Sequence, residues 1–323
     1  MKLSKKTALV TSLVCAMLIS SAHGALISAS AASRGDDAEN VQVAVKSQRA
    51  RTVFSNEQDA SEHEPTSQAL VQGAQDMRVN INGRRVLQGR VFAINGTTYV
   101  PMFKFCDWLG VFSYSYDRSS GTARVSGKNL EITAKEGTLY ISANGRYFYS
   151  VEKVIEVNGE IYVPIRPLTK ALNSKIEWSN ADGEFKVYSG DTSLLRSSSQ
   201  VYRDDEIYWL ARIINAEAGG EPMQGKIAVG NVILNRVRSS AFPSTIYSVI
   251  FDKKYGTQFS PTANGAIYKT PNADSIIAAK MCIEGYSLST EVLYFFNPKV
   301  SPTNWISQNR KYAFTVGNHV FYY

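Results

Sequence analysis

An internal repeat constrains the fold of this chain more than any other feature of its sequence. The segment "INGTTYVPMFKFCDWLG" (residues 94–110) aligns with "VNGEIYVPIRPLTKALN" (residues 157–173), and "NGRRV" from Asn82 aligns with "NGRYF" from Asn144. Each copy predicts an Asn-Gly turn, a strand at "YVP", a short helix after the proline, and further strands such as "FSYSYD" and "FKVYSG". A unit this small cannot bury its own apolar face, so we expect the two copies to pack as one α+β domain.

The N-terminus has the pattern of a secretory signal. "MKLSKK" is positively charged, and the following apolar run, "TALVTSLVCAMLIS", is too short to span a bilayer comfortably. Small residues in "AHG" and "ASAAS" offer cleavage sites, and the alternative is a short membrane anchor. We predict a signal peptide over residues 1–32, secretion to the cell wall or spore envelope, and no stable membrane span after cleavage.

Two polar stretches divide the remaining chain. Residues 33–77 are rich in Ala, Ser, Gln, Asp and Glu without a sustained period, which predicts a disordered tether. The stretch "SGDTSLLRSSSQVYR" marks a second boundary. We therefore assign a repeat domain to residues 78–190, a linker to residues 191–203 and a C-terminal domain to residues 204–323, which suits a chain of 323 residues.

Charge and cysteine content limit the partners of the mature protein. Removal of the signal takes away three lysines and lowers the formal charge from +7 to +4, so anionic cell-wall polymers are suitable partners. No dense Lys/Arg patch interleaved with aromatic residues is present, which argues against nucleic acid. Cys106 and Cys282 fall in different domains, so we predict no structural disulfide.

The repeat region, residues 77–190, resembles the copper amine oxidase N-terminal-like domain, a module of exported bacterial proteins. A copper site needs imidazole or soft sulfur ligands. His23, His63 and His319 all lie outside the repeat, and Cys106 alone cannot form such a site. We therefore expect no metal or cofactor here. The resemblance implies a wall-facing or spacer domain, and another cell-wall or spore protein is a further candidate partner.

One carboxylate in the last third, Glu217, is placed unusually. The residues after Asp204 predict a helix, because apolar side chains recur at helical spacing and Asp204 or Asp205 can cap its start. Gly219 and Gly220 end this helix, so Glu217 falls in its last turn. The negative end of the helix dipole disfavours a charged carboxylate there, and burial would raise its pKa further. A carboxylic acid that stays protonated near neutral pH is a suitable proton donor to a glycosidic oxygen.

Further elements of this region provide polar groups that can line a cleft. Pro222 opens a second, largely apolar helix, a third is predicted near residues 273–284, and "YAFTVGNHVFYY" predicts a terminal β-hairpin. The candidate substrate-binding residues, whose alternatives are loop-stabilising or core roles, are Gln258, Ser260, Tyr294, Asn297 and Trp305. Glu221 is an alternative second carboxylate, and we expect a structural role for His319.

Five motifs in this order, "NAEAGGEPMQGKIAVGNVILNRV", "FPSTIYSVI", "TQFSP", "LYFFNP" and "VGNHVFYY", resemble the SleB-type cell-wall hydrolases, the catalytic domains of spore cortex-lytic enzymes. The resemblance covers residues 204–323. It implies a mainly helical lysozyme-like domain, peptidoglycan glycan strands as substrate, and Glu217 as the catalytic acid. The predicted architecture is thus α+β, with a two-repeat α+β module followed by this helical domain and its terminal hairpin.

The alternative functions differ in the residues that their chemistry needs. Zinc amidases need three protein ligands, which the single histidine of the folded regions cannot supply. A Cys/His peptidase needs a thiolate at a helix N-terminus, whereas Cys282 falls in the middle of its predicted helix, as a core thiol would. A lytic transglycosylase needs only one acid, whereas a hydrolytic muramidase or glucosaminidase generally needs a second carboxylate. We therefore expect a lytic transglycosylase acting on spore cortex or cell wall. A hydrolase and a non-catalytic cell-wall-binding or assembly protein remain the alternatives.

Overall fold

A computed structural model of the protein describes residues 71–323, except residues 111, 255 and 302–304 and the side chain of residue 194. The predicted signal peptide, residues 1–32, and the predicted tether up to residue 70 lie outside the described residues. The described residues form a mixed α+β structure with sheets in the N-terminal half and helices in the C-terminal half. None of the described helices is long and apolar enough to cross a membrane.

From residue 71 to residue 190, apart from residue 111, the described residues form three sheets and two short helices. The strands are β1 (Gln75–Asp76), β2 (Val79–Ile81), β3 (Arg84–Val86), β4 (Phe92–Ile94), β5 (Thr97–Pro101), β6 (Ser113–Asp117), β7 (Thr122–Gly127), β8 (Leu130–Lys135), β9 (Tyr140–Ala143), β10 (Arg146–Tyr149), β11 (Ile155–Val157), β12 (Glu160–Pro164), β13 (Lys175–Ser179) and β14 (Glu184–Tyr188). The helices are α1 (Met102–Asp107) and α2 (Ile165–Ala171). The sheet orders are β1-β4-β5-β12-β11, β10-β9-β8-β7-β6 and β13-β14-β2-β3.

The two copies of the repeat meet strand to strand. Strands β5 and β12 run antiparallel, with Val100 opposite Val163, Tyr99 opposite Pro164, and Pro101 opposite Tyr162. Equivalent positions of the two copies thus pair around Val100 and Val163, which gives a local two-fold relation. Helices α1 and α2 each begin directly after the proline that ends the "YVP" strand, as the sequence predicts. The repeat therefore forms one shared sheet and one shared apolar core.

Asn-Gly pairs form the hairpin turns of both copies. The asparagine and the glycine of each pair both have positive φ, at Asn82-Gly83, Asn95-Gly96, Asn144-Gly145 and Asn158-Gly159. A two-residue turn with two positive φ angles matches the right-handed twist of the flanking strands, and Asn and Gly tolerate that conformation best. The predicted turns are therefore confirmed.

The predicted edges of the repeat domain need correction. Strand β1 pairs with β4, and Ala74 is 2% exposed, so the folded region includes residues 71–77, which the sequence assigned to the tether. The assigned linker, residues 191–203, is also ordered. It contains a 3₁₀ turn (Thr192–Leu194) and helix α3 (Ser198–Val201), and it buries Leu195 and Tyr202. The sequence did not predict this order because both segments are polar. Strand pairing and two isolated buried side chains produce no apolar period.

The C-terminal half packs helices against a small sheet. Its helices are α4 (Asp204–Ala218), α5 (Met223–Arg238), α6 (Ile246–Ile250), α7 (Ser260–Asn264), α8 (Ala273–Ile283) and α9 (Trp305–Asn309), with a 3₁₀ turn at Ala266–Tyr268. The sheet has the order β15-β17-β16, with β15 (Tyr294–Phe296), β16 (Tyr312–Val316) and β17 (His319–Tyr322). Strands β16 and β17 form the terminal hairpin that the sequence predicts.

Helices α4, α5 and α8 meet at Gly230. A β-carbon there would lie 2.7 Å from the Cys282 sulfur and 2.9 Å from Cδ1 of Ile214, so only glycine allows this close approach. The Cys282 side chain is 1% exposed, which confirms the interpretation as a core thiol, and burial raises its pKa far above the ordinary value. This packing places the end of α4 against a rigid core.

Candidate functional site

Glu217 lies in the last turn of α4, as the sequence predicts, but the start of that helix differs. The N-cap is Arg203, without a side-chain capping bond, and Asp204 and Asp205 both lie inside the first turn. The expectation that one of these aspartates caps the helix is therefore wrong. Carboxylates within the first turn still interact favourably with the positive end of the helix dipole, so either position suits them.

Helix α8 holds the end of α4 in place. The side-chain oxygen of Asn215 accepts hydrogen bonds from the Asn272 backbone N–H (3.0 Å) and from the Ser275 hydroxyl (3.4 Å). The Asn272 side chain in turn donates to the carbonyl of Gly219 (3.2 Å). Glu217 lies between these two anchored positions, so its backbone is fixed on both sides.

The surroundings of Glu217 favour a protonated carboxyl group. Its side chain is half-buried, and burial raises its pKa to about 7. Within the part of the chain that the structure describes, no side chain or backbone N–H donates a hydrogen bond to this carboxylate, and no cation pairs with it. The group can therefore exchange a proton near neutral pH, which is the property required of a general acid and base.

Glu221 has the opposite environment. The turn between β16 and β17 binds both of its oxygens, with the Asn318 backbone N–H donating to one (3.0 Å) and the Asn318 side chain to the other (2.9 Å). Burial alone raises the pKa of Glu221, but these hydrogen bonds, with His319 and Lys226 nearby, lower it below its ordinary value. The side chain is 9% exposed. Glu221 is thus an ionised carboxylate that fastens the terminal hairpin to the start of α5.

His319 supports the same corner of the fold. Its side chain is 6% exposed, its Nδ1 lies 3.9 Å from a Glu221 oxygen, and its ring makes an edge contact with Phe295. Among the described residues, Nδ1 has no hydrogen-bond partner. Burial lowers the pKa of His319, although Glu221 opposes this shift. These contacts support a structural role.

Two predicted substrate-binding residues, Gln258 and Tyr294, meet around Arg236 on α5. The Arg236 guanidinium donates to the Leu293 carbonyl (2.8 Å) and lies 3.5 Å from the Gln258 side-chain oxygen. It also lies over three aromatic rings at 4.9 to 5.5 Å, those of Phe242, Phe259 and Tyr294. Burial lowers the pKa of Arg236 to about 10, which leaves it charged at neutral pH.

Tyr294 is also part of a second aromatic cluster, which is more exposed. Arg310 lies over Tyr294 at 4.5 Å and over Trp305 at 5.4 Å. Trp305 begins α9 and is 51% exposed, and Ser260 is the exposed first residue of α7. Trp305 therefore presents an exposed aromatic surface of the kind that sugars stack on, and the half-buried Tyr294 adjoins it through Arg310.

Asn297 takes part in a turn. Its side-chain oxygen accepts from the Lys299 backbone N–H (3.0 Å), while the Lys299 ammonium donates to the Asn318 side-chain oxygen (3.0 Å). A continuous series of contacts thus connects Asn297, through Lys299 and Asn318, to Glu221. This favours the loop-stabilising alternative for Asn297.

Sequence reasoning missed Arg236, Lys299 and Asn318. Their partners are distant in sequence, so no local spacing indicates the contacts. The one available signal was Arg236, a charged residue that follows the apolar run Val232–Leu234 of α5. Across residues 71–323, apart from the gaps, no group of three or more His, Cys, Asp or Glu side chains could hold a metal ion.

Two family models match the chain. The Cell Wall Hydrolase model matches residues 220–322, and the Copper amine oxidase N-terminal domain model matches residues 80–188. The first begins three residues after Glu217 and includes Glu221 together with every predicted substrate-binding residue. The second covers both copies of the repeat.

Similar proteins agree with the first model. The cell wall hydrolase CwlJ of Oceanobacillus iheyensis is 32% identical over 114 residues, which cover 33% of this chain and 79% of that protein. This chain belongs to the cell wall hydrolase family. A spore cortex-lytic enzyme of Bacillus cereus is 38% identical over 120 residues, which cover 37% of this chain and 45% of that enzyme. This chain therefore spans less than half of the length of that enzyme.

A solved structure is also similar in sequence to this chain. The catalytic domain of the germination-specific lytic transglycosylase SleB from Bacillus anthracis is 37% identical to it. The match covers 38% of this chain and 97% of the solved one, with a TM-score of 0.35.

Proposed function

We propose that this protein cleaves the glycan strands of peptidoglycan as a lytic transglycosylase, acting on spore cortex or cell wall with Glu217 as general acid and base. The observation that carries the proposal is the contrast between the two acids of the "EAGGE" segment. Glu217 is half-buried with a pKa of about 7 and no described partner, while Glu221 is ionised and bonded through both oxygens. Similarity to a spore cortex-lytic enzyme and to a cell wall hydrolase supports peptidoglycan as the substrate class.

The reaction needs one acid that acts twice. Protonated Glu217 donates its proton to the glycosidic oxygen as the bond from that oxygen to the anomeric carbon of muramic acid breaks. The 6-hydroxyl of the same sugar forms a new bond to the anomeric carbon and gives its proton to the Glu217 carboxylate. The product is a 1,6-anhydromuramic end, no water is consumed, and Glu217 is protonated again. A pKa near the working pH suits both steps.

We further propose that Gln258, Ser260, Tyr294 and Trp305 contact the sugars. The exposed Trp305 and the adjoining Tyr294 face supply stacking surfaces, while Gln258 and Ser260 supply polar groups for N-acetyl substituents. Asn297 belongs to this proposal only through the turn that it stabilises.

The same proposal covers location and architecture. Residues 1–32 direct export to the cell wall or spore envelope. Residues 204–323 form a lysozyme-like catalytic domain, and the repeat domain precedes it. The alternatives are hydrolysis with Glu221 as the second carboxylate, and a non-catalytic wall-binding protein. The hydrogen bonds from Asn318 count against Glu221 as an activating base, since both of its oxygens already accept.

Analysis of the reaction products tests the proposal. Residues 33–323 are incubated with spore cortex and, separately, with vegetative peptidoglycan, and the soluble products are identified by mass spectrometry. Glu217→Gln is the test variant, and Glu291→Gln, at an exposed acid of the same half, is the matched control. Anhydromuramic ends that need Glu217 but not Glu291 support a transglycosylase. Reducing ends would favour hydrolysis, and no cleavage by folded protein would favour the binding protein.

A further inference from the structure

A groove runs along the junction between the repeat domain and the end of helix α8. Two cavities of about 260 and 350 Å³ lie there, and they share the walls formed by Tyr149, Arg166, Pro167 and Tyr286. The Tyr149 and Tyr286 rings are stacked, with centroids 3.7 Å apart. The two cavities are therefore neighbouring chambers that share one aromatic wall. The larger has the volume of small-molecule sites, which often lie at domain junctions.

Buried polar contacts preform this groove. The Arg146 guanidinium donates two hydrogen bonds, both 2.7 Å, to the two oxygens of Glu284, and the Tyr202 hydroxyl donates a third, also 2.7 Å. The side chains of Arg146 and Glu284 are 17% and 8% exposed. A bidentate pair of this kind restricts orientation as well as distance. The junction is therefore rigid, and a ligand would meet a groove that is already formed.

The free charge of the groove is positive. Arg166 lines both chambers and Lys170 lines the larger one. Both residues are exposed, and no carboxylate of the described residues pairs with either. Glu284 is the acid of the larger chamber, and Arg146 already neutralises it. An anionic ligand would thus find two available cations beside apolar tyrosine and proline surfaces.

We propose that this groove binds the carboxylate-bearing peptide stem of peptidoglycan, as a second contact separate from Glu217. The identity of the ligand rests on the proposed function. The N-acetylated sugars of a glycan are neutral, whereas the stem peptides carry free carboxylates, so the two cations select the peptide part of the polymer. Arg166 and Lys170 pair with stem carboxylates, and the Tyr149 and Tyr286 walls contact the short apolar side chains.

The groove gives the repeat domain a role in holding substrate. When two sites on one chain bind one polymer, the second contact forms at a high effective concentration and raises the overall affinity. Strands that carry peptide stems would therefore be retained better than bare strands.

Binding to the inactive full chain tests the groove without requiring cleavage. Residues 33–323 with Glu217→Gln are titrated with a soluble disaccharide tetrapeptide and, separately, with N-acetylglucosamine tetramer, which has no peptide. The same titrations are made with Arg166→Gln/Lys170→Gln added. The control pair, Lys128→Gln/Lys135→Gln, removes the same charge from exposed lysines of the same domain outside the groove.

We expect the disaccharide tetrapeptide to bind about tenfold more weakly to the Arg166/Lys170 variant, since two partly exposed ion pairs are lost. The control pair should leave its binding unchanged. Equal loss in the control pair, no loss in the groove variant, or equal binding of the sugar tetramer would overturn the proposal. If wild-type protein cleaves nothing but the groove variant still loses stem binding, the catalytic proposal fails and the groove remains.

Discussion

Asn318 donates hydrogen bonds to both carboxylate oxygens of Glu221, from its backbone N–H at 3.0 Å and from its side chain at 2.9 Å. This relationship keeps Glu221 ionised and occupied. It leaves Glu217, four residues earlier, as the acid of this segment with a raised pKa. Two glutamates that are close in sequence thus have pKa values shifted in opposite directions. Glu221 accepts hydrogen bonds from a hairpin turn, whereas Glu217 is partly shielded from water and has no partner among the described residues.

Glu217→Gln should lower cleavage of peptidoglycan by at least about 100-fold, because glutamine cannot transfer a proton. Release of soluble muropeptides measures this, with thermal unfolding as the check that the variant is folded. Glu291→Gln should retain wild-type activity. A Glu217→Gln protein with full activity would exclude Glu217 as the catalytic acid.

The proton of Glu217 also predicts a pH dependence of activity. With a pKa of about 7, the protonated form that donates to the leaving oxygen is depleted as the pH rises above that value. The rate at low substrate concentration should therefore fall above about pH 7, and its profile gives the pKa of the free enzyme's acid. A rate that stays constant to pH 9 would contradict this assignment.

Stability should respond to the same group. Burial raises the pKa of Glu217 from its ordinary value of 4.5 to about 7, so the folded state holds the proton more tightly than the unfolded state between these values. The contribution is favourable at low pH and is lost as the pH rises through about 7. We expect the melting temperature of Glu217→Gln, measured relative to that of the wild type, to rise by a few °C between pH 4.5 and pH 8. A constant difference across this range would count against the buried carboxyl.

Asn318→Ala should destabilise the protein by about 1–2 kcal/mol, because a charge-assisted hydrogen bond to Glu221 is lost. The pKa of Glu221 is lowered in the folded state, so this stabilisation is present above the unfolded value of 4.5 and is lost as the pH falls through the folded pKa. Denaturant unfolding at pH 7 and at pH 3 should show the gap closing. Additive effects in a double-mutant cycle with Glu221→Gln would mean that the two residues are not coupled.

Glu284→Gln should weaken the junction between the two halves. Removal of the charge leaves Arg146 without its bidentate partner in a largely buried site, which we expect to cost about 2–3 kcal/mol. Faster proteolysis within residues 191–203 and a lower midpoint of unfolding would show this. Glu177→Gln, at an exposed pair with Lys175, is the control and should have little effect. Unchanged proteolysis of Glu284→Gln would mean that the pair does not hold the junction.

The secondary structure of this chain could be predicted where the signal is local. The Asn-Gly turns, the "YVP" strands, the helices that follow proline, and the position of Glu217 near the end of α4 all depend on residues within a few positions of each other. Errors occurred where backbone pairing or a single anchor decided the outcome. Strand β1 and the ordered residues 191–203 are the clearest examples.

The residues themselves specify the repeat, its turns, the helical C-terminal half and the acid at the end of α4, because backbone preferences and apolar spacing are properties of short segments. The environment of each acid depends on the folded chain. Asn318 lies 97 positions from Glu221, and Arg146 lies 138 positions from Glu284. Burial and hydrogen bonding between such distant residues set their pKa values and the shape of the groove, since both depend on which groups exclude water from one another after folding.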